Sequence, residues 1–293
     1  MTPWKGIVLR LIATGLFAGM ALCVKKASAD TPVGQIVFWR SSVALIPIIA
    51  YLLYLNVFPA ALKTKNWVGH LERSLYGCLA MFLSFISLAY LPLSLAAIFG
   101  FLAPLLAIPM AAVYLHERPS FYLIVMVFIG FLGVLVTLYP SLEPTNLNHT
   151  TITHTALLGS IAGLLMAVVT AFAKVKIKQL TKTEHAGSIA FYFALACSLI
   201  GGLTSFWSWA ALDISTLFWL IGAGLFGGIA HVVMTEAIAR VSISTLAVFE
   251  YTAIFWALGL DYSFFGDIPD PVSLIGILMI VIAGHGVLKN SKR

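Results

Sequence analysis

The chain has 293 residues, of which 61% are hydrophobic and 10% charged, with a formal net charge of +6 and a mean hydropathy of +1.01. A water-soluble domain carries about 25% charged and about 45–50% apolar residues, so no soluble fold can enclose this much apolar side chain and the sequence reads as a membrane protein. The basic excess does not point to nucleic acid, because the lysines and arginines are sorted by side of the membrane rather than clustered on one face.

Ten apolar segments are predicted, at about 5–26, 34–55, 69–90, 94–115, 121–138, 156–176, 187–209, 215–239, 243–264 and 272–288. Each is near the roughly 20 residues that a helix needs to cross a hydrocarbon core about 30 Å thick. The first imitates a secretory signal, with Lys5 and Arg10, an apolar run and then Ala27-Ser28-Ala29. Lys25 and Lys26 beside that small-residue site, and the alignment of Val24-Lys25 with Ala173-Lys174, argue for a retained span. Trp39 and Arg40 lie in the second segment, Arg40 six residues from its outer end. Arg40 can capture a carboxylate or pair with Asp261, which is similarly placed in the ninth. Cys23, Cys78 and Cys197 fall inside spans without CxxC spacing, so they read as packing residues rather than a disulfide framework or a zinc site. The fourth span carries Phe101 and the prolines Pro104 and Pro109, which remove backbone donors and can let the helix bend during gating.

Between the fifth and sixth spans lies the sequon Asn148-His149-Thr150, which matters only in a cell that glycosylates. Gly222-Ala223-Gly224-Leu225-Phe226-Gly227 matches GxGxxG, but a dinucleotide site needs a strand before it and here the run opens a membrane helix. The GxxxG spacings Gly15/Gly19 and Gly224/Gly228 suit close helix contact instead. In the same span Glu236 and Arg240 are four apart and read as a local pair. There is no Walker lysine motif, HExxH or nucleophile elbow, so neither a cofactor, a metal nor catalysis is implied.

Fourteen of the seventeen basic residues fall on one side or at its span ends, against Lys25 and Lys26 on the other face. The positive-inside rule then puts both termini in the cytoplasm. The two halves also resemble each other. Shifted by 150, residues 75–119 overlie 225–269 without a gap, with identities at Leu75, Gly77, Ala80, Ala89, Ser94, Ala97, Phe99, Ala103, Ala107 and Pro119. Glu117 pairs with Asp267 in that alignment, and Gly34 and Phe38 match Gly187 and Phe191 at a shift of 153. A duplicated unit with an odd number of spans enters the bilayer from opposite sides, so the expected fold is all-α, ten transmembrane helices in two inverted five-helix repeats, 1–140 and 155–293.

These residues carry a family resemblance. Arg40, the run Tyr90-Leu91-Pro92-Leu93-Ser94-Leu95-Ala96, Pro104 and Glu117-Arg118-Pro119 in the first half are similar to EamA-type members of the drug/metabolite transporter superfamily. So are Ser244-Thr245-Leu246-Ala247, Glu250-Tyr251-Thr252, Trp256 and Phe265-Gly266-Asp267-Ile268-Pro269-Asp270 in the second. Ile254 departs from the pattern, standing where Pro104 stands in the first half. The resemblance implies a transporter, with aromatic amino acid exporters and carriers of riboflavin, nucleoside-like metabolites and S-adenosylmethionine among the relatives.

Ionisable residues inside spans are the candidate site, because a charge near the bilayer centre costs at least about 2.5–3.5 kcal/mol and usually faces a cavity or the bundle interior. Glu250 and His231 lie seven and nine residues from the cytoplasmic ends of their spans, depths of roughly 10 and 13 Å. Two readings stand: they border a solute cavity, Glu250 facing an amino group with Tyr251 or Trp256 stacking on the apolar part, or they lock two helices together. Trp39, Phe101 and Tyr251 can line the path or simply pack. The expected protein is an inner-membrane secondary carrier, working as a monomer among lipid, that exports amino acids, aromatic ones included, or similar small-molecule solutes by alternating access. Uptake of a larger metabolite such as riboflavin or S-adenosylmethionine is the alternative, and a membrane-embedded lipid enzyme lacks the clustered acids it would need.

Overall fold

In a computed structural model of the chain, residues 3–28, 31–90, 93–139, 154–265 and 271–290 are described, and all regular structure among them is helical. The helices are α1 (Pro3–Ala27), α2 (Val33–Tyr54), α3 (Trp67–Tyr90), α4 (Leu93–Leu115), α5 (Phe121–Leu138), α6 (His154–Leu180), α7 (Ala186–Leu203), the single turn α8 (Ser205–Ser208), α9 (Ile214–Arg240), α10 (Ile243–Glu250), α11 (Ala253–Phe265) and α12 (Pro271–Asn290). A 3-10 turn, Ala60–Leu62, precedes α3.

Eight stretches of the described residues are long and apolar enough to cross a membrane, and Pro271–Val287 is a shorter apolar helix. The sequence reading expected ten. α3 is 24 residues long, but its first two turns carry His70, Glu72 and Arg73, which dilute its apolar character. The ninth segment is counted among the eight, as Ile243–Leu260, but is interrupted at Tyr251–Thr252, where α10 ends and α11 begins. There the Tyr251 N–H bonds to the Val248 carbonyl at 3.3 Å, three residues back, and the Thr252 hydroxyl donates to the Phe249 carbonyl at 2.6 Å. The break needs no proline, whereas α4 runs through Pro104 and Pro109 as one helix.

The chain forms two compact units, each drawing on both halves of the sequence. Unit 1 comprises Met1–Cys78 and Lys176–Val241, and unit 2 comprises Leu79–Val175 and Ser242–Arg293. In unit 1, α1 packs along α9, and α2 packs against both α7 and α9. Small residues make these approaches possible, as van der Waals packing between membrane helices requires. A β-carbon at Gly224 would lie 2.5 Å from Val43 Cβ, and one at Gly228 2.6 Å from the Ala44 carbonyl oxygen. The Gly224/Gly228 spacing therefore serves the α2–α9 contact.

The α2–α7 contact is antiparallel and joins two helices at corresponding positions of the sequence repeats. Gly34, at the start of α2, abuts Thr204 beyond the end of α7, while Gly187, at the start of α7, abuts Leu52 and Tyr51 near the end of α2. These are the glycines that the 153-residue shift aligns. Between them, a β-carbon at Gly201 would lie 2.6 Å from the Phe38 backbone nitrogen, and Ser42 and Ser198 share a 2.6 Å hydrogen bond. The Asp213 carboxylate caps α9 by accepting from Thr216 N–H at 3.1 Å, and its hydrogen bonds to Thr216 hold its carboxyl below the ordinary value.

Unit 2 repeats this geometry with α5 and α12, again a corresponding pair. A β-carbon at Gly133 would meet the Gly276 carbonyl oxygen at 2.7 Å, Ser273 Oγ donates to the Thr137 carbonyl at 2.9 Å, and Gly286 lies against Tyr122 and Met126. Residues that rise along α5 thus meet residues that descend along α12. On the other side of α12, Leu274, Ile275, Leu278 and Ile282 are exposed, an apolar face suited to lipid and not to water. α10 packs on α4, α5 and α12.

Two glycine substitutions separate close packing from mere backbone freedom. Gly201→Ala is expected to cost about 1–3 kcal/mol through forced displacement of α2 and to lower the unfolding temperature in detergent. Gly259→Ala, with nothing within 4 Å of the added carbon, is expected to hold or raise it, since alanine is the better helix former by about 0.5–1 kcal/mol.

Candidate functional site

Unit 1 gathers three cationic or titratable side chains from three helices. Arg40 on α2 is half-buried and donates from Nη1 to the Met20 sulfur of α1 at 3.5 Å. Thioether sulfur is a weak acceptor. Arg73 on α3 is only 5% exposed; its guanidinium carbon lies 4.2 Å from the Phe193 ring centroid, and its Nε and Nη1 make no hydrogen bond. His231 on α9 is held edge-on between Phe17, at 5.1 Å, and Phe193, at 4.9 Å, with Nδ1 buried and without a partner. Phe193 therefore has Arg73 over its ring and His231 at its edge. The sulfurs of Cys78 and Cys197 are 2.9 Å apart, and Met20, the partner of Arg40, abuts Gly227 one turn before His231, so side chains of α2, α3, α7 and α9 gather in one region.

Glycine again makes the arrangement possible. A side chain at Gly77, one turn after Arg73, would collide with the Arg73 guanidinium and the Phe193 ring. Its repeat counterpart Gly227 gives the same room to Met20, whose sulfur would lie 2.9 Å from a β-carbon there, and Met20 in turn holds Arg40. The two aligned glycines thus seat the two arginines.

Trp39 is half-buried, lies 5.8 Å from Phe38 and packs on the cluster of Ala27, Ile36 and Leu220; its indole N–H has no partner. Toward the Arg240 end of α9, an open pocket of about 290 Å³ is lined by Leu9, Pro47, Tyr51, Val232, Glu236 and Arg240 among others. Its polar wall is closed on itself. Arg240 pairs with Glu236, as the four-residue spacing predicts, and Tyr51 donates to Glu236 Oε1 at 2.6 Å.

Unit 2 holds the remaining candidates. Glu250, the last residue of α10, is paired with Lys174 of α6. Tyr251 is fully enclosed, 6.3 Å from Phe101 and 6.4 Å from Phe131, and its ring fills the space that Gly130 leaves open. In this arrangement it packs and offers no face to a solute. Trp256 is 48% exposed, Pro104 is buried and Pro109 exposed. Glu117 does structural work at the start of α10, its carboxylate accepting from Ile243 N–H at 3.0 Å, Ser244 N–H at 3.2 Å and Ser244 Oγ at 2.7 Å. An anion at this positive helix end is favourable. Its repeat counterpart Asp267, the Asp261 side chain and the sequon Asn148-His149-Thr150 lie outside the described residues.

The structure thus brings Arg40 and His231 together in unit 1 and Phe101 with Tyr251 in unit 2, while Glu250 and His231 fall in different units. Sequence reasoning missed Arg73 and Lys174. Both stand near span ends, where basic residues are ordinarily topological anchors, and both were counted that way. The available signal was positional: Arg73 lies one turn before a repeated glycine, and Lys174 is followed by six further residues of the same helix. Among the described residues no group of three His, Cys, Asp or Glu side chains is placed to hold a metal.

Comparison with known proteins gives this architecture a family. The profile of the EamA-like transporter family matches twice, over residues 4–139 and 155–287. The chain belongs to the EamA-like transporter family. It is 29% identical to the pseudopaline exporter CntI of Pseudomonas aeruginosa (strain UCBPP-PA14) over 295 residues, covering 98% of this chain and 97% of that one. It is 22% identical to the S-adenosylmethionine uptake transporter of Rickettsia bellii (strain RML369-C) over 258 residues, covering 87% and 82%. A solved crystal structure shares the fold with a TM-score of 0.83 at 19% identity, over 100% of both chains. As an EamA member the chain is a multi-pass membrane transporter of small solutes.

The Lys174–Glu250 pair offers a double-mutant test. Removing one partner of a buried ion pair costs about 3–5 kcal/mol, whereas replacing both by apolar groups is often neutral. Lys174→Met is therefore expected to lower thermal stability sharply and Lys174→Met with Glu250→Leu to recover most of the loss, read by unfolding of the purified protein in detergent.

Proposed function

We propose that this protein is a secondary carrier of the inner membrane that exports amino acids or closely similar small metabolites. It acts as a monomer with both termini in the cytoplasm, without cofactor and without chemistry on the solute. Its two five-span repeats, 1–140 and 155–293, are inverted relative to each other and alternate access to a site that includes Arg40 and His231, with Trp39 nearby in sequence.

The observation that carries this reading is the cationic set in the helices of unit 1, supplied by both sequence halves: Arg40 of the candidate span α2 and Arg73 of α3 from the first, and His231 of the candidate span α9 from the second. Charge at this depth is costly and is retained where it serves a solute path. The antiparallel packing of corresponding helices, α2 with α7 and α5 with α12, supports inversion, since an in-plane pseudo-dyad turns each helix of one repeat against the direction of its counterpart. The interrupted ninth segment supports a carrier as well, because broken helices recur at transporter sites. Tyr251, Glu250, Trp256 and Phe101 support the scaffold of unit 2 in this reading, with Pro104 and Pro109 as the places where α4 can flex.

Export is supported by the relative named as an exporter, which matches nearly the full length of this chain. Uptake of S-adenosylmethionine, the activity named for more distant relatives, fits the charge less well, because that solute carries a sulfonium and an ammonium and unit 1 presents cations.

Purified protein in liposomes preloaded with unlabelled amino acids is expected to take up labelled amino acid by counterflow that saturates and needs no nucleotide. Flux that rises linearly with concentration, or no flux for any member of the panel, would sink the carrier reading.

A further inference from the structure

We propose that Arg40 and Arg73, with His231 beside them, form an anion site inside unit 1 that takes solutes bearing two or more carboxylates in preference to zwitterionic amino acids. The inference rests on the carrier reading and, among amino acids and similar small metabolites, moves the preferred solute to the acidic ones.

Every described acid of unit 1 is engaged elsewhere. Glu72 pairs with Lys176, Glu184 accepts from Thr64 and faces His70, Glu236 holds Tyr51 and Arg240, and Asp213 caps α9. Asp30 lies outside the described residues. What remains for the arginines is apolar or weakly polar: the Phe193 ring for Arg73, with Nε and Nη1 left without acceptors, and the Met20 sulfur for Arg40. A buried guanidinium without an acceptor is strongly unfavourable, and five N–H donors in a fixed fork are built to receive carboxylate oxygens in pairs. Arg73 lies over the Phe193 ring that also touches His231, and Met20, which holds Arg40, abuts Gly227 one turn before His231, so one small solute can face both.

Charge then sets the preference. A zwitterion brings one carboxylate to two guanidinium groups and adds an ammonium for which no described acid of unit 1 is available. A di- or tricarboxylate satisfies both arginines and adds no cation. Phe193 and Phe17, which bracket His231, supply an apolar wall for the solute's carbon skeleton.

The test uses the full-length protein in detergent and in proteoliposomes, with citrate, L-glutamate, L-phenylalanine and sodium chloride as probes. Thermal stabilisation and competition are expected to rank citrate first, glutamate next and phenylalanine last, with citrate at least tenfold tighter than phenylalanine. Arg40→Gln and Arg73→Gln are each expected to weaken citrate at least tenfold and to flatten the ranking, while Arg73→Lys restores part of it as a point charge without the fork. Should the arginine variants fail to fold, the wild-type ranking decides alone. Phenylalanine binding as tightly as citrate, or citrate stabilising no better than chloride at equal ionic strength, would overturn the anion site. Saturable phenylalanine counterflow with no response to the acids would overturn it too while leaving the carrier reading intact, and binding of citrate without any flux would do the reverse.

Discussion

The structure depends on how closely corresponding helices of the two sequence halves can approach. α2 and α7 run antiparallel with Gly34 and Gly187 at opposite ends of the contact and Gly201 against the Phe38 backbone between them. Lipid tails are as apolar as leucine, so association here comes from surface fit rather than from expulsion of water. A methyl group at the wrong place costs more than its volume suggests. The same device, carried by Gly133 and Gly276, joins α5 to α12. Each compact unit is thereby built from both halves of the chain, and neither half forms a body by itself.

Close packing also sets the electrostatics. Gly77 and Gly227 occupy equivalent positions in the repeat and make room for Arg73 and for the methionine that holds Arg40. The recess at Gly77 takes the Arg73 guanidinium, and the recess at Gly227 takes the Met20 thioether that holds Arg40. In the other unit the buried charge is compensated, Lys174 against Glu250 and Glu117 against the backbone of α10. Unit 1 leaves Arg73 donors without an acceptor, while the described acids of unit 2, Glu117 and Glu250, are committed to holding helices.

Much of this was legible in the residues. Hydropathy and periodicity located the helices within a few residues, because length and apolarity are dictated by bilayer thickness. The repeat alignment singled out Gly34, Gly77 and Gly187, whose contacts now explain the matches. Arg40 and His231 stood out as ionisable groups at membrane depth, and the structure places both in one region. The partner of Glu250 was hidden, since Lys174 looked like any basic residue near a cytoplasmic end, and only the continuation of α6 to Leu180 puts it inside the helix. Arg73 was hidden for the same reason. Tyr251 looked like a solute platform from its type and depth, but whether an aromatic ring meets a cavity or a glycine across the bundle is a tertiary fact that no local pattern carries. The interruption at Tyr251–Thr252 was equally silent, because the prolines that ordinarily announce a break lie in α4, where the helix continues.

Inversion of the two repeats is the claim on which alternating access rests. It is tested most directly by labelling equivalent positions on the two faces of the membrane. Arg118 and Ile268 align across the repeat, so each is replaced singly by cysteine in a chain lacking Cys23, Cys78 and Cys197 and exposed in intact cells to a membrane-impermeant maleimide. The account expects Ile268→Cys to react from outside and Arg118→Cys only after the membrane is opened; labelling of both from the same face would contradict it.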